Sequence, residues 1–224
     1  MRTISRLGCA LLLTAFLSAV GAAQQSDAPF ENSWYWGAGF GRISFPTYFH
    51  RVTAPMIGAD WMITRTRWAL DVYGSQAYFS DSSTVADPNS PSKLRKASMT
   101  GLRRVGFTGM VFLPTMPKYT WFRPYAGIGF SFNFVNHAAP IDSVFSSAAA
   151  RDSVQQRVND ARTLTKATFS AGFLVTWRRF APYVQYTMMP TKGSGDWLIN
   201  GDGSTTFWEA GLRYNFGSAI DKMK

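Results

Sequence analysis

The sequence predicts an all-β fold: an eight-stranded antiparallel up-and-down transmembrane β-barrel. Three observations carry that expectation. Segments of the chain alternate apolar and polar residues with period two. The connections between them are long at one end and short at the other. The chain begins with an export signal and carries no cysteine beyond it.

The export signal comes first in order. Arg2 and Arg6 precede "LGCALLLTAFLSAVGAA", a basic start, an apolar run and small residues before Gln24. This reads as a signal peptide over residues 1–23, cleaved after Ala23 or Ala22, and is short for a retained anchor. Cys9, the only cysteine, lies inside it. Arg6 and Leu7 stand where a lipidation site needs small and apolar residues. An exported chain without thiols is held by hydrogen bonding and packing, or by a bilayer. Residues 24–33 are then a short periplasmic segment, 34–216 the barrel and 217–224 a C-terminal tail.

The expected strands are 34–45, 52–64, 67–80, 99–113, 121–135, 165–178, 180–190 and 205–216. In the first, Trp36, Ala38 and Phe40 alternate with Gly37, Gly39 and Gly41. In the fifth, "WFRPYAGIGFSFNFV", one face is Phe122, Pro124, Ala126, Ile128, Phe130, Phe132 and Phe134. Its other face is Arg123, Tyr125, glycine, serine and asparagine. The sixth and eighth repeat the pattern, with Phe169, Phe173 and Trp177 in one and Trp208, Leu212 and Phe216 in the other. Strands of this length suit a tilted membrane crossing of about 9–11 residues. Pro124 and Pro182 sit near strand starts, where a missing donor is tolerated.

The connections after strands two, four and six are short. Those after three, five and seven are long, including a polar 81–98 and 136–164. A β-sandwich gives no reason for that asymmetry; a barrel with periplasmic turns and extracellular loops does. Trp34, Trp36, Trp61, Trp68, Trp121 and Trp177 all fall near the short-turn end and Trp208 near the other, as interfacial aromatic belts do. Within 136–164, Ala and Gln favour a short surface helix or a mobile loop, with Val154 and Val158 on one face.

If the apolar faces meet lipid, the other faces fill the lumen. The expected inward charges are Asp60, Asp71 and Glu209 with Arg104, Arg123 and Arg213. Unpaired buried charge is costly, so they should pair and plug an interior only wide enough for side chains. A narrow polar pore is the alternative. The net charge is +10, and +8 without Arg2 and Arg6. Export argues against nucleic acid; lipopolysaccharide head groups or plain solvation of loops account for the basic residues.

"RPYAGIGFSF" resembles the Pro-Tyr-x-Gly-x-Gly strand of the small outer-membrane β-barrels of the OmpA-like, OmpX-like and opacity-protein type. "EAGLRYNF" is similar to their terminal strand at Glu209, Gly211, Tyr214 and Phe216. The resemblance spans about Trp34 to Phe216. It implies an integral, monomeric outer-membrane protein with both termini in the periplasm, and a terminal strand read by the barrel assembly machinery. The tail "GSAIDKMK" departs from the family, whose members often end at the terminal Phe.

Some barrels of this size modify lipid A, so catalytic groups matter. The two histidines, His50 and His137, both fall in outer loops. His50 with Asp81 and Ser82 superficially resembles an acyltransferase set; Asp142-Ser143 and Asp152-Ser153 show that such pairs recur in loops. Neither histidine begins the His-x-Ser of the family deacylases, and residues 24–33 hold no amphipathic helix. No metal-ligand spacing or nucleotide motif is present, so no cofactor is expected. The expected function is non-catalytic, structural or surface-interacting through the outer loops. A passage for small or hydrophobic solutes and a lipid A-modifying activity are the alternatives.

Overall fold

The computed structural model describes residues 30–115, 118–141, 145–191 and 197–218. The export signal, most of the N-terminal segment, Asp142-Ser143 and most of the C-terminal tail lie outside the described residues. Eight strands close a barrel: β1 (Ser33–Pro46), β2 (Arg51–Thr64), β3 (Trp68–Ala77), β6 (Leu102–Phe112), β7 (Phe122–Val135), β9 (Thr163–Val175), β10 (Phe180–Pro190) and β11 (Ser204–Ser218). Every neighbouring pair is antiparallel. Closure is made by β1 against β11, with Phe40 opposite Ala210, which leaves no barrel edge unpaired.

Alternation sorts the side chains. Outward residues are large and bare: Phe40 is 70% exposed, Ile128 59% and Trp36 57%. Exposed apolar surface on this scale is what a bilayer covers. Trp34 and Trp36 pack against Trp61 at 5.5 and 6.3 Å, at the short-turn end. Trp208 packs on Tyr186 at 4.9 Å towards the other end. The short turns are tight: Arg65 N–H donates to Trp68 O at 2.6 Å, and Trp177 and Phe180 exchange both backbone bonds at 2.8 Å.

Three strand limits differ from the expectation by three residues, the sixth strand ending at Val175 where 178 was expected. The stretch 67–80 forms a strand only over Trp68–Ala77, and 99–113 is split before Leu102. The break is Gly101, whose φ of +84° suits glycine, and where a Cβ would lie 2.7 Å from Ala77 O.

The long connections are the larger departure. The polar 81–98 is part of a hairpin, β4 (Asp81–Asp87) and β5 (Ser90–Met99), joined by β8 (Ala139–Pro140) into a second sheet. Helix α1 (Ala148–Asp160) is capped by Ser147, whose hydroxyl accepts the Ala150 N–H at 3.1 Å. The short helix expected within 136–164 is present, and one face of it is covered. Val154 and Val158 are buried, in one cluster with Val85, Met99, Trp197, Leu198 and Ile199. That cluster continues into the barrel through Phe45, Met56 and Phe207. The connections thus fold into an apolar cap seated on one mouth.

Candidate functional site: the charged lumen and its cap

The lumen has three layers. At the short-turn end, Phe30, Tyr35, Met62, Met110, Phe112 and Tyr125 belong to one buried cluster. Phe30 enters from the segment before β1, and its ring meets Phe112 at 4.9 Å.

The middle layer is charged. Arg213, on β11, donates from Nε to Asp60 Oδ2 at 2.5 Å and from Nη2 to Asp71 Oδ2 at 3.4 Å. The Tyr183 hydroxyl donates to Asp60 Oδ1 at 3.3 Å, and its ring lies 4.0 Å from the Arg213 guanidinium carbon. Gly37 makes this approach possible. A Cβ there would stand 2.3 Å from Asp60 Oδ1 and 2.7 Å from Arg213 Cγ. Arg104 forms the second unit. Its Nη2 spans both Glu209 oxygens at 3.0 and 3.1 Å, and its Nε donates to Ser75 Oγ at 3.1 Å. Its guanidinium carbon lies 3.9 Å from the centre of the Phe207 ring. Arg104 and Arg213 are both buried. Asp60, Asp71, Tyr73, Tyr183, Glu209 and Arg213 line a cavity of about 10 Å³, room for about one water molecule.

Arg123 stands apart from this network. Its guanidinium carbon lies 4.1 Å from the centre of the Phe30 ring, at the aromatic mouth. The expectation grouped it with the acids because alternation gives the face a residue takes and leaves its height in the lumen open. Phe30, from the short segment before β1, supplies a ring face where the network would supply a carboxylate.

The third layer is the cap. Asp87 and Arg95 tie its hairpin at 2.8 Å, and Arg95 lies over the Phe145 ring at 5.2 Å. The Arg95 guanidinium and the Asn89 N–H hold the Asp87 carboxyl below its ordinary value. Ser83 Oγ donates to Asn200 Oδ1, and Asn200 Nδ2 to Thr84 O, stitching the last long connection to β4. At the rim the structure brings His50 and Asp81 together, with Nε2 and Oδ2 3.1 Å apart. Asp81 Oδ1 accepts the Ser82 N–H at 2.6 Å.

The terminal-strand residues divide between the two faces. Glu209 is the Arg104 partner and Gly211 faces Tyr183. Tyr214 packs between Phe180 and Phe216 on the outside. Among the described residues no cluster of three acids, histidines or cysteines is arranged to hold a metal.

No family model matches the chain, and no curated protein matches it in sequence. Solved structures do match. The chain is similar to Neisserial surface protein A at 12% identity and a TM-score of 0.54, over 82% of this chain and 97% of that one. The likeness is one of fold. Also similar are the N-terminal β-barrel domain of Pseudomonas aeruginosa OprF (12% identity, TM-score 0.46, 83% and 98% covered) and Ail, the attachment invasion locus protein of Yersinia pestis (11%, 0.44, 84% and 100%).

Proposed function

We propose that this chain is an integral protein of the bacterial outer membrane, a sealed and non-catalytic barrel that holds a folded cap at the cell surface. Both termini lie in the periplasm, and lipid and lipopolysaccharide surround the wall. The cap, rather than the lumen, meets partners. The observation that carries this reading is the lumen itself: Arg213 between Asp60 and Asp71, Arg104 on Glu209, and a remaining cavity of about 10 Å³. A middle layer paired and packed in this way argues against the pore. The test is single-channel recording in planar bilayers. Conductance at the noise level is expected, and a stable conducting level would overturn the reading. Assembly would use Glu209, Gly211, Tyr214 and Phe216 as the signal for the assembly machinery. Phe216→Ala should then slow the appearance of the folded, heat-modifiable form in cells.

One observation favours a second reading. The His50–Asp81 contact at the rim has the form of the acid–imidazole half of an acyl-transfer site. Among the described residues, Asp81 is the only hydrogen-bonding partner of the imidazole, so the nucleophile's hydroxyl is missing from the arrangement. Lipid A masses that change on expression of the protein, and revert with His50→Ala, would favour it.

A further inference from the structure

The charged residues on the outer wall are one-sided. Among the described barrel residues, Arg42, Arg51 and Arg103 are the charged side chains that alternation turns outward, and all stand in the cap-side part of their strands. A cation on the lipid face is tolerated near the interface and costs most at the midplane. Arg42 is level with Trp208, one of the interfacial aromatics.

The wall changes character at Arg42. On its membrane side Phe40 and Val184 flank Ala210, whose methyl group leaves a shallow recess of about 330 Å³ with Arg42 and Trp208 at its upper edge. On the cap side the wall becomes polar, with Thr53 Oγ1 donating to Ser44 Oγ at 3.3 Å and Thr206 Oγ1 to Ser44 O at 3.5 Å. Arg51 reaches across this polar band. Its Nη1 donates to Ser44 O and Oγ, both at 3.3 Å, and its Nη2 to Ser204 O at 3.2 Å. That pins its guanidinium over Ser44, one pleat repeat, roughly 7 Å, from Arg42. Arg42 itself has no protein partner among the described residues.

We infer that Arg42, Arg51 and the Ala210 recess form a binding site for one lipid, the phosphorylated glycolipid of the outer leaflet. An acyl chain fills the recess between Phe40, Val184 and Trp208. Its phosphate accepts from Arg42 and from the free edge of Arg51, where charge-assisted bonds in a partly dry setting are strong. The sugar lies against the amphipathic ring of Trp208, a surface that a glycerophospholipid has no sugar to use. No acid on this wall opposes the anion. The inference rests on the outer-membrane reading above, which places the cap-side rim in the outer leaflet.

The test is native mass spectrometry of the refolded full-length protein in detergent, titrated with lipid A and, separately, with phosphatidylglycerol. Lipid A should bind in preference. Arg42→Ala and Arg51→Ala should each weaken it about fivefold, and the double variant by the product. Ala210→Leu, which fills the recess and keeps both cations, should weaken it as well. Arg103→Ala, which removes a wall cation remote from the recess, should leave it unchanged. Equal binding of the two lipids with no effect of Ala210→Leu would show Arg42 merely snorkelling to any anionic head group, and would overturn the site. Heat-modifiable migration of each variant separates the two readings. A folded wild type with indifferent variants removes only the site, whereas a wild type that never takes up a detergent-folded form removes the outer-membrane reading.

Discussion

Arg213 on β11 is clamped between two carboxylates from different strands, Asp60 on β2 and Asp71 on β3, at 2.5 and 3.4 Å. The clamp ties the last strand to two early ones through the middle of the barrel. Buried as it is, its attraction is offset by the cost of drying three charges, so its net contribution to stability is modest. Breaking it is another matter. Arg213→Ala leaves two carboxylates facing each other without a cation and should lower the folding free energy by about 3–5 kcal/mol. Urea titration of the refolded barrel in detergent micelles checks this. Asp60→Asn/Asp71→Asn/Arg213→Met, which removes the charges together, should recover most of the loss. An Arg213→Ala variant as stable as the wild type would mean that the clamp plays no part in the fold.

The cap should unfold without the barrel. Val158 is fully buried on α1, and a carboxylate placed there cannot reach water or a cation without opening the cluster. Val158→Asp should therefore expose 145–162 to protease at concentrations that leave the wild type intact. The closed strand ladder, which does not depend on α1, should keep its heat-modifiable migration. Loss of both together would show that cap and barrel fold as one unit.

The eight barrel strands were legible because the wall divides two environments. Ile128 and Phe130 alternate with Gly129 and Ser131 over a whole crossing, a period of two that a helix does not reproduce. The inward side of the charges was legible for the same reason. The pairing was less so: alternation assigns Arg123 and Arg213 to one face, yet one stacks on Phe30 and the other binds Asp60 and Asp71. The cap was not legible. Its hairpin offers the core little beyond Val85, Ala97 and Met99, and becomes a fold only when Val154, Val158 and Trp197 arrive from connections far along the chain. The His50–Asp81 contact, across 31 residues, is by contrast a grouping that the sequence already suggested.

The Asp87–Arg95 tie gives the cap a pH dependence of known sign. The folded carboxyl titrates below its ordinary value of 3.8, so it releases its proton more readily in the folded state than in the unfolded one. Its contribution is fully present above pH 3.8 and is lost as pH falls through the lower, folded value. Protease susceptibility of the 81–99 hairpin should therefore stay flat from neutrality down to about pH 4 and rise only below it. Asp87→Asn should show the raised susceptibility already at neutral pH and no further step in acid. A wild-type step near neutrality would place the sensitive group elsewhere.

The tryptophans allow the bilayer itself to be read out. Trp36 and Trp208 are 57% and 51% exposed on the outer wall, towards opposite ends, whereas Trp197 is 2% exposed inside the cap. Rings of this kind settle at the two membrane–water interfaces. Variants that keep a single one of these tryptophans should answer differently to lipids brominated close to the head group. Trp36 and Trp208 should both lose most of their emission to such lipids, and less to lipids brominated at the chain ends. Trp197 should be indifferent to both, because its ring is enclosed by protein. Quenching of Trp197 would lower the cap into the membrane, and an unquenched Trp208 would take the upper interface away from the level at which Arg42 stands.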